Sequence, residues 1–161
     1  MLFFRSKLTY TFAVSFSHYS NTADTWNGGA IAAYDDTEIQ ILDCTFHGND
    51  ALLGGAVYTS GMTSIQQSTF YYNHAAAAGG ALFCAQEGEV TVVQTTMYEN
   101  RASQGGAIYV SDFSSLNLPS STLRENRATD GGGIFNGGIL NSFNTMYFDN
   151  FAEDAVSQIT R

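Results

Sequence analysis

Positive charge is scarce in this sequence. Six Lys and Arg stand against fifteen Asp and Glu, a net charge of −9 at neutral pH. No Lys or Arg lies between Lys7 and Arg101, while Asp24, Asp35, Asp36, Glu38, Asp43, Asp50, Glu87, Glu89 and Glu99 all fall in that interval. A polyanionic duplex is repelled by such a surface, which excludes nucleic acid as a partner and disfavours anionic lipid. Proline occurs once, as Pro119, and the apolar fraction is an ordinary 44%, so the chain is not a disordered linker. Two cysteines cannot make a disulfide framework. Cys44 and Cys84 fall at different points of the repeat described below, so both are expected as free thiols. No apolar run approaches the roughly 18 residues of a membrane span, so no direct membrane insertion is expected. Residues 1–20 are a poor export leader: Arg5 and Lys7 follow Phe3 and Phe4, and Thr11, Ser15 and Ser17 interrupt the apolar run.

What the sequence does have is a beat. Gly28-Gly29-Ala30-Ile31 returns as Gly54-Gly55-Ala56-Val57, Gly79-Gly80-Ala81-Leu82, Gly105-Gly106-Ala107-Ile108 and Gly131-Gly132-Gly133-Ile134. The steps between first glycines are 26, 25, 26 and 26 residues. A second word, a large apolar residue followed three positions later by Asn and five later by Ala, sits between them. It is carried by Phe46, Asn49 and Ala51, then by Phe70, Asn73 and Ala75. Met97, Asn100 and Ala102 follow, then Leu123, Asn126 and Ala128, and finally Tyr147, Asn150 and Ala152. A fixed period of 20–50 residues marks a repeat architecture.

Between the words, apolar residues alternate, as in Ile39-Gln40-Ile41, Val90-Thr91-Val92 and Leu116-Asn117-Leu118. Period two is a strand pattern, and the recurring Gly-Gly, Ser and Asn would break a helix at each pass. Each unit is therefore read as about three short strands and three corners. A unit of ~25 residues is long enough to go once round a narrow tube. The expected fold is an all-β, right-handed parallel β-helix solenoid with coils of about 25 residues. Identical positions then stack ~4.8 Å apart. Residues 31, 57, 82, 108 and 134 should form one inward aliphatic ladder, and Phe46, Phe70, Met97, Leu123 and Tyr147 a second. Asn49, Asn73, Asn100, Asn126 and Asn150 should occupy a corner, each amide bonding the next. The glycines should supply positive φ and close approach at another corner. Residues 1–20 read as an incomplete first coil, with Asn21-Thr22-Ala23 as a copy of the second word. Residues 151–161 leave the pattern, and Ala155, Val156 and Ile159 begin another coil or fray.

The paired words Gly-Gly-Ala-aliphatic and Phe-x-x-Asn resemble the repeats of the polymorphic outer membrane proteins, and more widely right-handed β-helix proteins of the pectin-lyase-like fold. The resemblance covers residues 21–152 and is strict for Phe-x-x-Asn only at Phe46 with Asn49 and Phe70 with Asn73. It implies a secreted or surface-exposed, adhesin-like or autotransporter-passenger-like domain with a cell-surface protein or glycan as partner. The membrane β-barrel that ends such proteins is lacking here. With no clear capping element at either end, the 161 residues read as a single domain, continued by further β-helix coils of a longer solenoid.

The same fold hosts polysaccharide lyases and hydrolases, so a carbohydrate-active enzyme is the alternative. Asp35, Asp36 and Glu38 share one corner and Glu87 and Glu89 the same corner two coils on, but no Lys or Arg accompanies them as base. His47 and His74 flank the Asn position in neighbouring coils, with no third ligand evident. No catalytic residue, metal ligand or cofactor is assigned. One strand face stays open: with 57, 82, 108 and 134 inward, Tyr58, Phe83, Tyr109 and Phe135 form an exposed aromatic stripe; in the reverse phase the alanines and aromatics fill the core.

Overall fold

The computed structural model describes residues 2–4, 9–13, 17–19, 21–154 and 159–160. Among them every regular element is a strand, and neighbouring strands pair in parallel, one coil on the next. One coil runs through Ile31–Ala33, Glu38–Leu42, Thr45–His47 and Asp50–Leu53. These strands lie on four faces along the tube, here called the first to fourth sheets in that order, the fourth being interrupted at Arg101 and Gln104, where only isolated bridges join its two parts.

Four strands per coil, rather than three, is a correction. The additional one follows the Asn corner and is too short for alternation to reveal. It is also irregular, shifting register between Ala75 and Ala78 and between Ala23 and Asn27. The incomplete first coil is present as strands. Leu2–Phe4 pairs with Ile31–Ala33, Thr9–Ala13 with Glu38–Leu42, and Ser17–Tyr19 with Thr45–His47. At the other end Ile159–Thr160 starts a further coil on Ile134 and Phe135; Ala155 and Val156 lie outside the described residues.

The phase question resolves with the aliphatics inward. Ile31, Val57, Leu82, Ile108 and Ile134 are all buried, as are Phe46, Phe70, Met97 and Leu123. Phe46 and Phe70 stack at 4.5 Å and 6°. The second sheet adds Ile39, Ile41, Ile65, Val90, Val92, Leu116 and Leu118. Each coil thus contributes its own slice of apolar core, and stability grows coil by coil.

Polar groups inside the tube are also arranged as ladders. Asn49 Nδ2 donates to Asn73 Oδ1 (2.9 Å), Asn73 to Asn100 (2.9 Å), Asn100 to Asn126 (3.0 Å) and Asn126 to Asn150 (2.8 Å). Each Oδ1 also accepts the backbone N–H of the preceding Asn, and the second hydrogen of Nδ2 goes one coil back, from Asn73 to the Phe46 carbonyl and from Asn100 to the Phe70 carbonyl. A buried amide with all these partners satisfies the corner that strand pairing cannot reach.

A second polar ladder, unforeseen from sequence, occupies the turn between the second and third sheets. Cys44 N–H donates to Ser68 Oγ, Ser68 N–H to Thr95 Oγ1, and Thr95 N–H to Ser121 Oγ. The Cys44 thiol bonds the Leu42 carbonyl just as the Ser68 hydroxyl bonds that of Gln66. The residue ahead of each rung is left-handed without being glycine: Asp43, Gln67, Gln94, Ser120 and Asn144 have φ between 48° and 55°.

The two glycines of each word serve different ends. The first takes positive φ, 63° at Gly105. The second lies under the next coil: a Cβ on Gly106 would sit 2.1 Å from the Gly132 carbonyl oxygen. Cys44 and Cys84 are both free and buried, and burial pushes the Cys84 thiol well up.

Candidate functional site

A tube of identical coils has no natural cleft, so any site must be built from outward columns. The first-sheet column is the aromatic one foreseen from sequence. Tyr58 stacks on Phe83 at 5.5 Å, Phe83 on Tyr109 at 4.8 Å, and Tyr109 on Phe135 at 5.0 Å, all within 9° of parallel. Tyr34 extends it at 5.3 Å. The stripe is not exposed as expected: Phe83 is buried and its neighbours are half-buried. Two causes act. The rings cover one another's faces, and Leu53, Ala78 and Ala85 pack against their flank in a small second cluster. Burial accordingly raises the Tyr58 and Tyr109 phenols. With its faces taken, this column offers mainly ring edges, a poor platform for stacking a sugar.

The second sheet faces outward with Glu38 and Gln40, Met62 and Ser64, then Glu89 and Thr91, which line a shallow trough of about 250 Å³. The register places Glu38 and Glu89 on either side of Met62, two rungs apart. The loop above them holds Asp36 and Glu87 in left-handed conformation, and Ser60 Oγ donates to Asp35 at 2.5 Å. The structure therefore does bring the two halves of the acidic corner onto one face. Among the described residues no group of three or more His, Cys, Asp or Glu is placed to hold a metal ion.

The third sheet carries the columns that sequence reasoning missed. Thr45, Thr69, Thr96 and Thr122 form one, in register. His47, Tyr71, Tyr98, Arg124 and Phe148 form the other. Tyr71 and Tyr98 stack at 5.0 Å and 3°, and the Arg124 guanidinium lies 4.3 Å above the Tyr98 ring centre. His47 tilts onto Tyr71 at 4.5 Å. Tyr72, 54% exposed, meets Tyr71 edge-on at 5.7 Å. A hydrogen bond to Glu99 raises the Tyr72 phenol, and burial raises that of Tyr98. The signal was present in the sequence: each threonine directly precedes, and each residue of the His47 to Phe148 column directly follows, a member of the second inward ladder, so both columns must point out.

On the fourth sheet, His74 Nδ1 lies 2.8 Å from Asp50 Oδ2, and Arg127 pairs with Glu153 at 3.0 Å. The two histidines flanking the Asn corner thus belong to different columns, one ring-stacked and one beside a carboxylate. Arg101, on the rung between His74 and Arg127, helps line a polar groove of about 110 Å³.

No helix among the described residues is long and apolar enough to cross a membrane. A family model for the right-handed β-helix region matches residues 8–152. No curated protein and no solved structure matches the chain.

Proposed function

The chain belongs to the right-handed β-helix family, and from that premise we propose that it is a non-enzymatic binding domain, secreted or surface-exposed, that engages a cell-surface protein or glycan through its third sheet. The observation that carries this reading is the Tyr71, Tyr98 and Arg124 stack with Tyr72 beside it. Tyr and Arg are the side chains that most often anchor protein interfaces, because each presents large area with few rotamers to freeze. Here their neighbours along the column already hold them, so little ordering is left for binding to demand. The flanking threonines add hydroxyls at a regular pitch. The two repeat words support a more specific reading of the coils as polymorphic outer membrane protein-type repeats of an adhesin or autotransporter passenger, continued by further coils.

One observation favours a second reading, a carbohydrate-active enzyme. Glu38 and Glu89 stand two rungs apart across the second-sheet trough, ~9.6 Å by the strand spacing, near the upper separation at which two carboxylates work with an intervening water. Against it, no Lys or Arg lies between Lys7 and Arg101 to neutralise an acidic sugar. Incubating the purified chain with acidic and neutral polysaccharides, and separately with glycan arrays and intact cells, decides between them. Saturable binding without turnover is expected. Turnover abolished by Glu89→Gln would replace the binding reading with the enzymatic one.

A further inference from the structure

Arg101, Arg124 and Arg127 are the Lys and Arg residues among those described, and all of them flank one corner of the tube, that of Asn100 and Asn126. Their surroundings differ. On the third-sheet side, the Arg124 guanidinium lies over the Tyr98 ring and pairs with Glu125. On the fourth-sheet side, Arg127 pairs with Glu153 and sits 5.1 Å above the Phe151 ring centre. Arg101 stands on the rung between His74 and Arg127, and no carboxylate among the described residues pairs with it. Glu99 lies across the corner and bonds Tyr72 instead.

Beside Arg101 the backbone leaves the regular ladder. The strand before it shifts register between Ala75 and Ala78, and the Ser103 and Gln104 N–H groups both reach the Ala77 carbonyl, at 3.2 and 3.0 Å. This opens the polar groove of about 110 Å³, rimmed by His74, Arg101, Ser103, Arg127, Thr129 and Glu153, with alanine for the rest of its lining. Its charges nearly cancel. Glu153 offsets Arg127, and Asp50, 2.8 Å from His74 Nδ1, offsets that ring when it is protonated. One positive charge is left over, on Arg101. It suits a monoanion better than a phosphate monoester, which carries close to two charges. The hydroxyls set further terms. The Ser103 hydroxyl donates to the Ala76 carbonyl at 3.0 Å, so its oxygen is left to accept. The Thr129 hydroxyl has no side-chain or backbone partner among the described residues and can donate. A fitting ligand therefore brings anionic oxygens and a hydroxyl together. No large apolar side chain lines the groove, as a protein anchor would require.

We propose that this groove binds the sulfate monoester of a sugar, with ester oxygens on Arg101 and Thr129 and a neighbouring sugar hydroxyl donating to Ser103 Oγ. The three terminal oxygens of the ester can use the guanidinium and hydroxyl donors together, whereas a planar carboxylate is filled by one guanidinium fork. The net charge of −9 still repels a polyanion, so the fit is to a sparsely sulfated glycan. The site uses none of the Tyr71 and Tyr98 column and stands independently of that binding face.

Nuclear magnetic resonance titration of the isotopically labelled 161-residue chain with a glucose sulfate monoester tests this. Shifts of the Ser103 and Thr129 amides and of the Arg101 side-chain N–H should saturate at millimolar ester, while glucose itself shifts nothing. Added salt should weaken the binding. Arg101→Gln should weaken it by about tenfold or more, the scale of a lost charge-assisted hydrogen bond. Arg124→Gln should leave it unchanged, and both variants should keep the dispersed spectrum of the folded chain. The proposal is overturned if no shift saturates, if glucose binds as well, or if Arg101→Gln binds like wild type. Tighter binding of glucose phosphate, glucuronate or a glutamate-rich peptide overturns it too.

Discussion

Replacing Asn100 by Ala removes a middle rung of the buried amide ladder. The side chain accepts from both the backbone and side-chain nitrogens of Asn73 and donates to the Phe70 carbonyl and to Asn126 Oδ1. Alanine leaves two donors and one carbonyl without those partners, in a corner where Asn100 is fully buried. Each orphaned buried group costs about 1–3 kcal/mol, less whatever an admitted water restores, so a total of about 3–5 kcal/mol is expected. Asn150→Ala provides the internal control. It removes equivalent bonds to Asn126 and to the Leu123 carbonyl, but from the last rung, where the residue is already 8% exposed. At that exposure water can replace part of the lost bonds, and a loss of about 1–2 kcal/mol follows. Urea denaturation followed by circular dichroism reads both. A melt of Asn100→Ala superimposable on wild type, or an equal loss at the two positions, refutes the reasoning.

Two further predictions rest on the same geometry. Gly106→Ala should be far more damaging than Gly137→Ala, because its Cβ meets the Gly132 carbonyl at 2.1 Å, whereas the Gly137 Cβ meets the movable Asp112 carboxylate at 2.9 Å; thermal melts of the two variants compare them. Burial is the leading reason that the Tyr58, Tyr98, Tyr109 and Tyr147 phenols are raised. A raised phenol favours the fold fully below the unfolded value of about 10 and ceases to do so as pH climbs through its folded value. Stability should therefore hold up to about pH 10 and fall above it, with phenolate absorbance lagging that of the urea-unfolded chain.

The legible parts of the fold were those where one residue type is forced at one position. Only Gly can lie beneath Gly132, and only an amide both accepts and donates along the axis as Asn100 does, so these words survive every coil. The hydroxyl ladder was hidden because Cys44, Ser68, Thr95, Ser121 and Thr145 fill one geometric role with three residue types. The left-handed turn residues were hidden more deeply. Asp43, Gln67, Gln94 and Ser120 are polar but of three types, none of which by itself marks a left-handed turn, so no single residue type repeats at that corner. The outward columns lay between. The aromatic repeat at 58, 83, 109 and 135 was readable, but its burial depended on Leu53 and Ala78, which come from an irregular strand. The Tyr71 and Tyr98 stack went unread because its column also holds His47, Arg124 and Phe148, and only the register makes those five residues one surface.

The central claim is that function rests on an outward column of a register-locked scaffold, and on the third sheet in particular. A three-face comparison of binding to intact cells and to a glycan array tests it most directly, with wild type beside Tyr71→Ser/Tyr98→Ser on the third sheet, Gln40→Ala/Thr91→Ala on the second and Tyr58→Ser/Tyr109→Ser on the first. The account expects a drop of about tenfold or more for the third-sheet pair alone, the scale of one or two lost anchor side chains, with all variants folded. Undiminished binding by that pair, or an equal loss from the second-sheet pair, contradicts it.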